Sequence, residues 1–291
     1  MDDALVLCRV LHYGSALLLF GTGAFQAWLA QQPLARALDG VLGSIVRLAA
    51  CIAFLSAVAW LLLASGEMGD GWSDVWNPST WLAVLMDTEF GHVWLLHSLL
   101  AAALAGLALG RPVGRWKLLS VLTALHLGSL GFVGHAVMLD GAEGWISRAS
   151  HVVHLLAGGF WLGALVPLLL CLGKLGDVEL GTGVSDALRR FSGLGHIAVA
   201  AVIASGLVNV ALVLGRWPTD TASPYQLLLL CKVALVAVMI GLAIVNRYVL
   251  VPRIRDGGAA LSGLRFSTLT ELGLGLCVVA FVSLFGTLPP Q

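Results

Sequence analysis

The chain has 291 residues, 59% of them hydrophobic and 11% charged, with zero formal net charge and a mean hydropathy of +0.94. A soluble domain carries about a quarter charged residues and must present a polar surface to water, so a single water-soluble globule is excluded. Without net positive charge or a Lys/Arg stripe, nucleic acid is excluded as a partner too.

The composition implies an all-α polytopic bundle with the lipid bilayer as its solvent. Only helices and closed barrels satisfy their backbone amides in lipid, and a crossing helix needs roughly 20 mostly apolar residues. About eight stretches qualify as helices, at 5–29, 43–65, 91–109, 117–139, 149–173, 191–215, 225–248 and 269–288, in one transmembrane domain spanning 1–291. The first follows Met1-Asp2-Asp3, acidic where a cleavable signal needs a basic start, so the first span itself is expected to do the targeting. After the second span, the segment at about 66–90 mixes Glu67, Asp70, Asp74, Asp87 and Glu89 with Trp72, Trp76 and Trp81. Within it, Asn77-Pro78-Ser79-Thr80 reads as the start of a short interfacial helix running through Met86. Gly106 with Gly110, and Gly159 with Gly163, form small-xxx-small patterns that let helix backbones approach. The five cysteines all sit in apolar runs, so no disulfide framework is expected.

The odd-numbered connections hold Arg36, Arg111, Arg115, Lys117, Lys174, Arg189, Arg190, Arg253, Arg255 and Arg265, whereas the even-numbered ones hold Arg148 and Arg216. The positive-inside bias therefore assigns the odd loops to the cytoplasm and both termini to the opposite side, which is the periplasm if the cell is Gram-negative.

Polar side chains within spans are expensive and mark function. With this topology and a rise of about 1.5 Å per residue, His12, His92, His97, His135, His151 and His154 fall in the outer half. His126 falls near mid-membrane and His196 near the cytoplasmic end. Cys8 and His12 are four residues apart on one helix face, while His135 with Met138 and His151 with His154 are three apart. Imidazole and thioether suit copper, Cu(I) above all. The candidate metal ligands are thus His12, His97, His135, His151, His154 and Met138. His92, His126 and His196 are expected simply to bond a carbonyl or serine of a neighbouring helix. Lys232 in the seventh span and Asn209 in the sixth are candidate polar or gating groups of an outer cavity. A haem b is the alternative cofactor, because His135 with His154, or His12 with His97, offers two imidazoles at matched depth. No Gly-rich phosphate loop, HExxH or Gly-x-Ser-x-Gly is present, and an enzyme is not expected.

A set of short motifs in fixed order resembles the copper resistance protein D (CopD/PcoD) family of bacterial inner-membrane proteins. They are Arg9-Val10-Leu11-His12, Gly134-His135-Ala136, His154 with Phe160-Trp161-Leu162-Gly163, Arg190-Phe191-Ser192, Ser205-Gly206-Leu207-Val208-Asn209, Pro224-Tyr225 leading to Lys232, Asn246-Arg247, and Pro252. Gln226 departs from the pattern, since members commonly carry glycine after the tyrosine; this bears on local turn geometry. The resemblance implies copper movement or tolerance between periplasm and cytoplasm, with a separate periplasmic copper-binding partner of the CopC type.

Overall fold

The computed structural model of the chain describes residues 1–256 and 258–290, except the side chains of His135, Ala136, Arg255 and Asp256. In order, it contains α1 (Asp2–Ala24) with a π turn (Phe25–Leu29), α2 (Leu34–Met68), α3 (Trp72–Val75), α4 (Pro78–Asp87), α5 (Glu89–Gly110) and α6 (Arg115–Ser129). Two 3-10 turns (Leu130–Phe132 and Gly134–Val137) lead to α7 (Gly141–Gly163), α8 (Leu165–Leu172), α9 (Gly181–Leu214) and α10 (Pro224–Val245). A π turn (Asn246–Leu250) and a 3-10 turn (Val251–Asp256) then precede α11 (Gly258–Phe285). No strand occurs among the described residues.

Among the described residues, seven helices are long and apolar enough to cross a membrane: Asp2–Leu29, Leu34–Met68, Glu89–Gly110, Gly141–Leu172, Gly181–Leu214, Pro224–Ile254 and Gly258–Phe285. The chain is an all-α, multi-pass membrane bundle. The stretch expected at 117–139 differs from a full span. Its helix α6 has 15 residues, about 22 Å at 1.5 Å per residue against a hydrocarbon core of about 30 Å. Gly128, Gly131 and Gly134 crowd the segment where it stops, and Gly134 has φ +72°. That backbone is open to glycine and strained for other residues, so the helix gives way to 3-10 turns.

Helix α1 runs through the middle of the N-terminal half, touching α2, α6, α7 and α11. Its approach to α7 is backbone on backbone. A Cβ on Gly21 would lie 2.2 Å from the Gly163 carbonyl carbon, and one on Gly163 would lie 2.0 Å from Leu17 O. The Gly159/Gly163 pattern is therefore a helix contact, whereas Gly106 and Gly110 face open space. The Met1 thioether lies against Gly66 and the Arg9 guanidinium against Gly286, so the start of α1, the end of α2 and the end of α11 share one end of the bundle. Gln226 is fully buried, and its side-chain carbonyl accepts from Asp220 N–H at 3.0 Å. The departure from glycine thus ties the loop before α10 to that helix.

The loop after α2 is organised by Asp74. Its carboxylate accepts from the Asp70 backbone N–H (2.6 Å), Asn77 Nδ2 (3.1 Å) and Thr80 Oγ1 (3.0 Å). Asn77 caps α4 through Ser79 N–H (3.2 Å), and Trp81 Nε1 donates to Val75 O (2.9 Å). Those donors, the Asp70 N–H foremost, hold the Asp74 carboxyl below its ordinary value of 3.8. A depressed carboxylate contributes order above its unfolded pKa and loses that contribution as pH falls through the folded one. Tryptophan fluorescence of the loop is accordingly expected to hold from neutral pH down to about 3.8 and to change below it. Asp74→Asn should abolish that acid component; an identical titration in the variant would refute the assignment.

Candidate metal centre

Three histidines from three helices meet inside the bundle. His12 comes from α1, His97 from α5 and His126 from α6, all fully buried. Helical spacing delivers them. Leu5, Cys8, His12, Ala16 and Leu19 form the inward stripe of α1, and Trp94, His97, Ala101, Leu104 and Ala108 that of α5. Their ligand nitrogens lie within 4.8 Å of one another. His12 Nε2 and His97 Nε2 are 2.8 Å apart. The His97 and His126 rings stack at 4.1 Å, and the Trp94 ring stacks on His97 at 4.7 Å. Trp60 packs edge-on to His12 at 5.6 Å, and the Arg9 guanidinium covers the Trp60 ring at 5.1 Å, so aromatic side chains close the cluster off on that side.

Two serines set the protonation of the imidazoles. Ser56 Oγ donates its single proton to Ile52 O (2.6 Å), so it accepts from His12 Nδ1–H (2.9 Å). Ser129 Oγ likewise donates to His126 O (2.7 Å) and accepts from His97 Nδ1–H (2.7 Å). When Nδ1 carries the proton, Nε2 carries the lone pair. The Nε2 atoms of His12 and His97 face each other at hydrogen-bond distance, so without a metal ion they share a proton between them, and a bound cation would take that proton's place. His126 adds two buried nitrogens with no hydrogen-bond partner among the described residues. Unsatisfied polar atoms in a dry interior cost about 1–3 kcal/mol each. A metal–nitrogen distance of about 2 Å asks for donors roughly 3.5 Å apart in a trigonal plane; the three nitrogens lie within 4.8 Å of one another, and the 2.8 Å His12–His97 pair would open by a fraction of an ångström to admit the ion. The donor set thus fits a metal ion. Cys8 sits one turn above His12, and its thiol donates to Ser56 O at 3.2 Å, the residue whose hydroxyl orients His12.

Of the other residues singled out by sequence, His154 belongs to a separate place on α7. Its Nδ1 pairs with Ser205 Oγ at 3.0 Å, and Lys232 lies within electrostatic reach. His151, one turn away, is half-buried. Asn209 Oδ1 is buried without a partner, and the Lys232 ammonium lies 5.8 Å from the Phe285 ring centre. Met138 is exposed at 58%. The His135 side chain lies outside the described residues. His92 bonds Met86 O (2.8 Å), and His196 bonds Ser192 O (2.7 Å) and Tyr248 Oη (3.2 Å). The expectation for His126 does not hold: it bonds neither carbonyl nor serine and joins the cluster. Its apparent depth came from treating 117–139 as one straight helix. Because α6 stops at Ser129, His126 lies one turn from its end, level with His12 and His97. The signal that pointed this way was the glycine spacing at 128, 131 and 134.

Two family descriptions match the chain: "Copper resistance protein D-like, N-terminal domain" over residues 1–145 and "Copper resistance protein D" over residues 185–285. The inner membrane protein YebZ of Escherichia coli (strain K12) is 38% identical over 286 residues, covering 98% of each chain. Copper resistance protein D of Pseudomonas syringae pv. tomato is 30% identical over 323 aligned residues, covering all of this chain and 98% of the relative. No solved structure matches. All three clustered histidines fall within the N-terminal match.

Proposed function

The chain belongs to the copper resistance protein D family, and on that premise we propose that it is a copper-handling protein of the bacterial inner membrane, holding the ion at His12, His97 and His126. The observation that carries this reading is the convergence of three buried imidazoles: the Nε2 atoms of His12 and His97, each held through Nδ1 by Ser56 or Ser129, face each other beside a third imidazole that has no hydrogen-bond partner among the described residues. Three neutral nitrogens in a buried site favour Cu(I). The desolvation cost of an ion grows as the square of its charge, and no carboxylate is among the clustered ligands to offset a divalent one. We read the cluster as a station on a path from the periplasm into or across the bundle, and the protein as a transporter rather than an enzyme. Both chain ends share one end of the bundle, which the Lys/Arg bias assigns to the periplasm. A periplasmic CopC-like protein is the partner this orientation would serve.

The haem reading fits the site less well. At His12 and His97 the stacked rings of Trp94 and His126 fill the space a macrocycle would take. The test uses purified full-length protein. One equivalent of Cu(I) is expected by chelator competition, without a Soret band, and Cu(I) uptake is expected after reconstitution in liposomes. No copper binding in either oxidation state would sink the proposal. Binding without flux would leave a scaffold that exchanges copper with its partner.

A further inference from the structure

A second polar site lies in the C-terminal half. Glu271 stands at the middle of α11 and is 2% exposed. It lines a cavity of about 300 Å³ between α7, α8, α9, α10 and α11 whose walls are otherwise mostly apolar. An ionisable group there is expensive and marks function by default. No cation forms an ion pair with it among the described residues. Instead Asn246 Nδ2 donates to its carboxyl at 2.6 Å, and Trp161 of α7 faces the same group. The π turn at Asn246–Leu250 brings Asn246 and Arg247 to the cavity, and such turns frequently mark functional positions. Asn246 Oδ1 is buried and without a partner among the described residues, as is Arg247 Nε, while another nitrogen of Arg247 donates to Ser192 Oγ. The titratable or charged groups around the cavity are Glu271, Arg247 and the exposed His196; α8 and α10 themselves contribute apolar side chains.

We infer that Glu271 is a proton-loading site, filled through this cavity, whose protonation accompanies copper movement. The inference rests on the copper-transport reading. The cavity has room for a short chain of waters, and Glu271, Asn246, Thr268 and Ser192 supply the polar partners such a chain needs. The carboxylate takes a proton from a hydronium ion and leaves water behind; release reverses the step. A soft metal finds little here, because His196 is the one nitrogen ligand on the lining and already bonds Ser192 O and Tyr248 Oη. A proton suits a carboxyl held by neutral donors beside an unused acceptor. Helix α7 links the two sites: its Gly163 presses on α1, which carries His12, and its Trp161 faces Glu271.

The test uses the full-length protein in lipid. Infrared difference spectra across a pH step are expected to show a carboxylic-acid C=O band that Glu271→Gln removes and that Asn246→Leu, which takes away the donor, shifts. In vesicles with an imposed pH gradient, Glu271→Gln is expected to lower gradient-driven Cu(I) flux about a hundredfold, with equilibrium copper affinity unchanged. Identical infrared spectra for wild type and Glu271→Gln overturn the proposal, as does an equal response of their fluxes to the gradient. If Glu271→Gln does not fold, an unshifted band in Asn246→Leu overturns it. A wild type that binds copper without moving it fails the transport reading instead, and the infrared result still decides the proton site.

Discussion

Replacing His126 by phenylalanine is expected to lower Cu(I) affinity more than about a hundredfold while leaving the copper-free protein as stable as before, or more so. The two effects separate because of what the imidazole does without metal. Its nitrogens are buried and bond none of the described residues, so the apo protein carries a desolvation penalty that an apolar ring of similar shape relieves. The stacking on His97 at 4.1 Å survives in phenylalanine. The ligand does not survive. Loss of an outer partner of a metal ligand costs about 10–100-fold in affinity, and loss of the ligand itself should exceed that. Ser56→Ala and Ser129→Ala test the outer layer: each frees one imidazole to change tautomer, and each is expected to cost about 10–100-fold. Chelator competition measures affinity, and detergent-driven unfolding of metal-free protein measures stability. If His126→Phe destabilises the apo protein and keeps its copper affinity, the cluster is a packing device and not a metal centre.

How much of this was legible beforehand depended on which physical signal each feature leaves in a sequence. Membrane helices were legible because hydrophobicity over about 20 residues is a bulk property. The short helix at Pro78–Asp87 was legible because Asn77 and Pro78 are local capping chemistry. His12 and His97 were legible as candidates because each lies in a long, uninterrupted helix where depth follows from counting residues. His126 was not, because counting fails where a helix stops early. The serines were not legible either. Ser56 lies 44 residues from His12 and Ser129 lies 32 from His97; no local pattern joins them, and only the packing of α2 against α1 and of α6 against α5 does. Glu271 was visible as a residue but carried no message until the π turn placed Asn246 beside it, 25 residues away in the chain.

The glycine patterns show the same limit and yield the sharpest structural contrast. Gly163→Ala is expected to destabilise the bundle by about 3 kcal/mol, whereas Gly106→Ala should be neutral or stabilising by about 0.5–1 kcal/mol. Both glycines belong to small-xxx-small sequences inside apolar helices. At Gly163 the new methyl carbon would stand 2.0 Å from Leu17 O, a backbone atom that cannot swing aside, so α1 and α7 must part. Dispersion at close approach is what holds membrane helices together, with no hydrophobic drive between them to compensate. At Gly106 nothing lies within 4 Å, and the substitution only adds helix propensity. Because α1 carries His12, displacement at Gly163 should also pull one imidazole from the cluster, so copper affinity should fall along with stability. Gly106→Ala should leave affinity untouched. Detergent-driven unfolding and chelator competition on the two variants read both quantities. Equal stability in the pair would mean that α1 and α7 do not meet backbone to backbone.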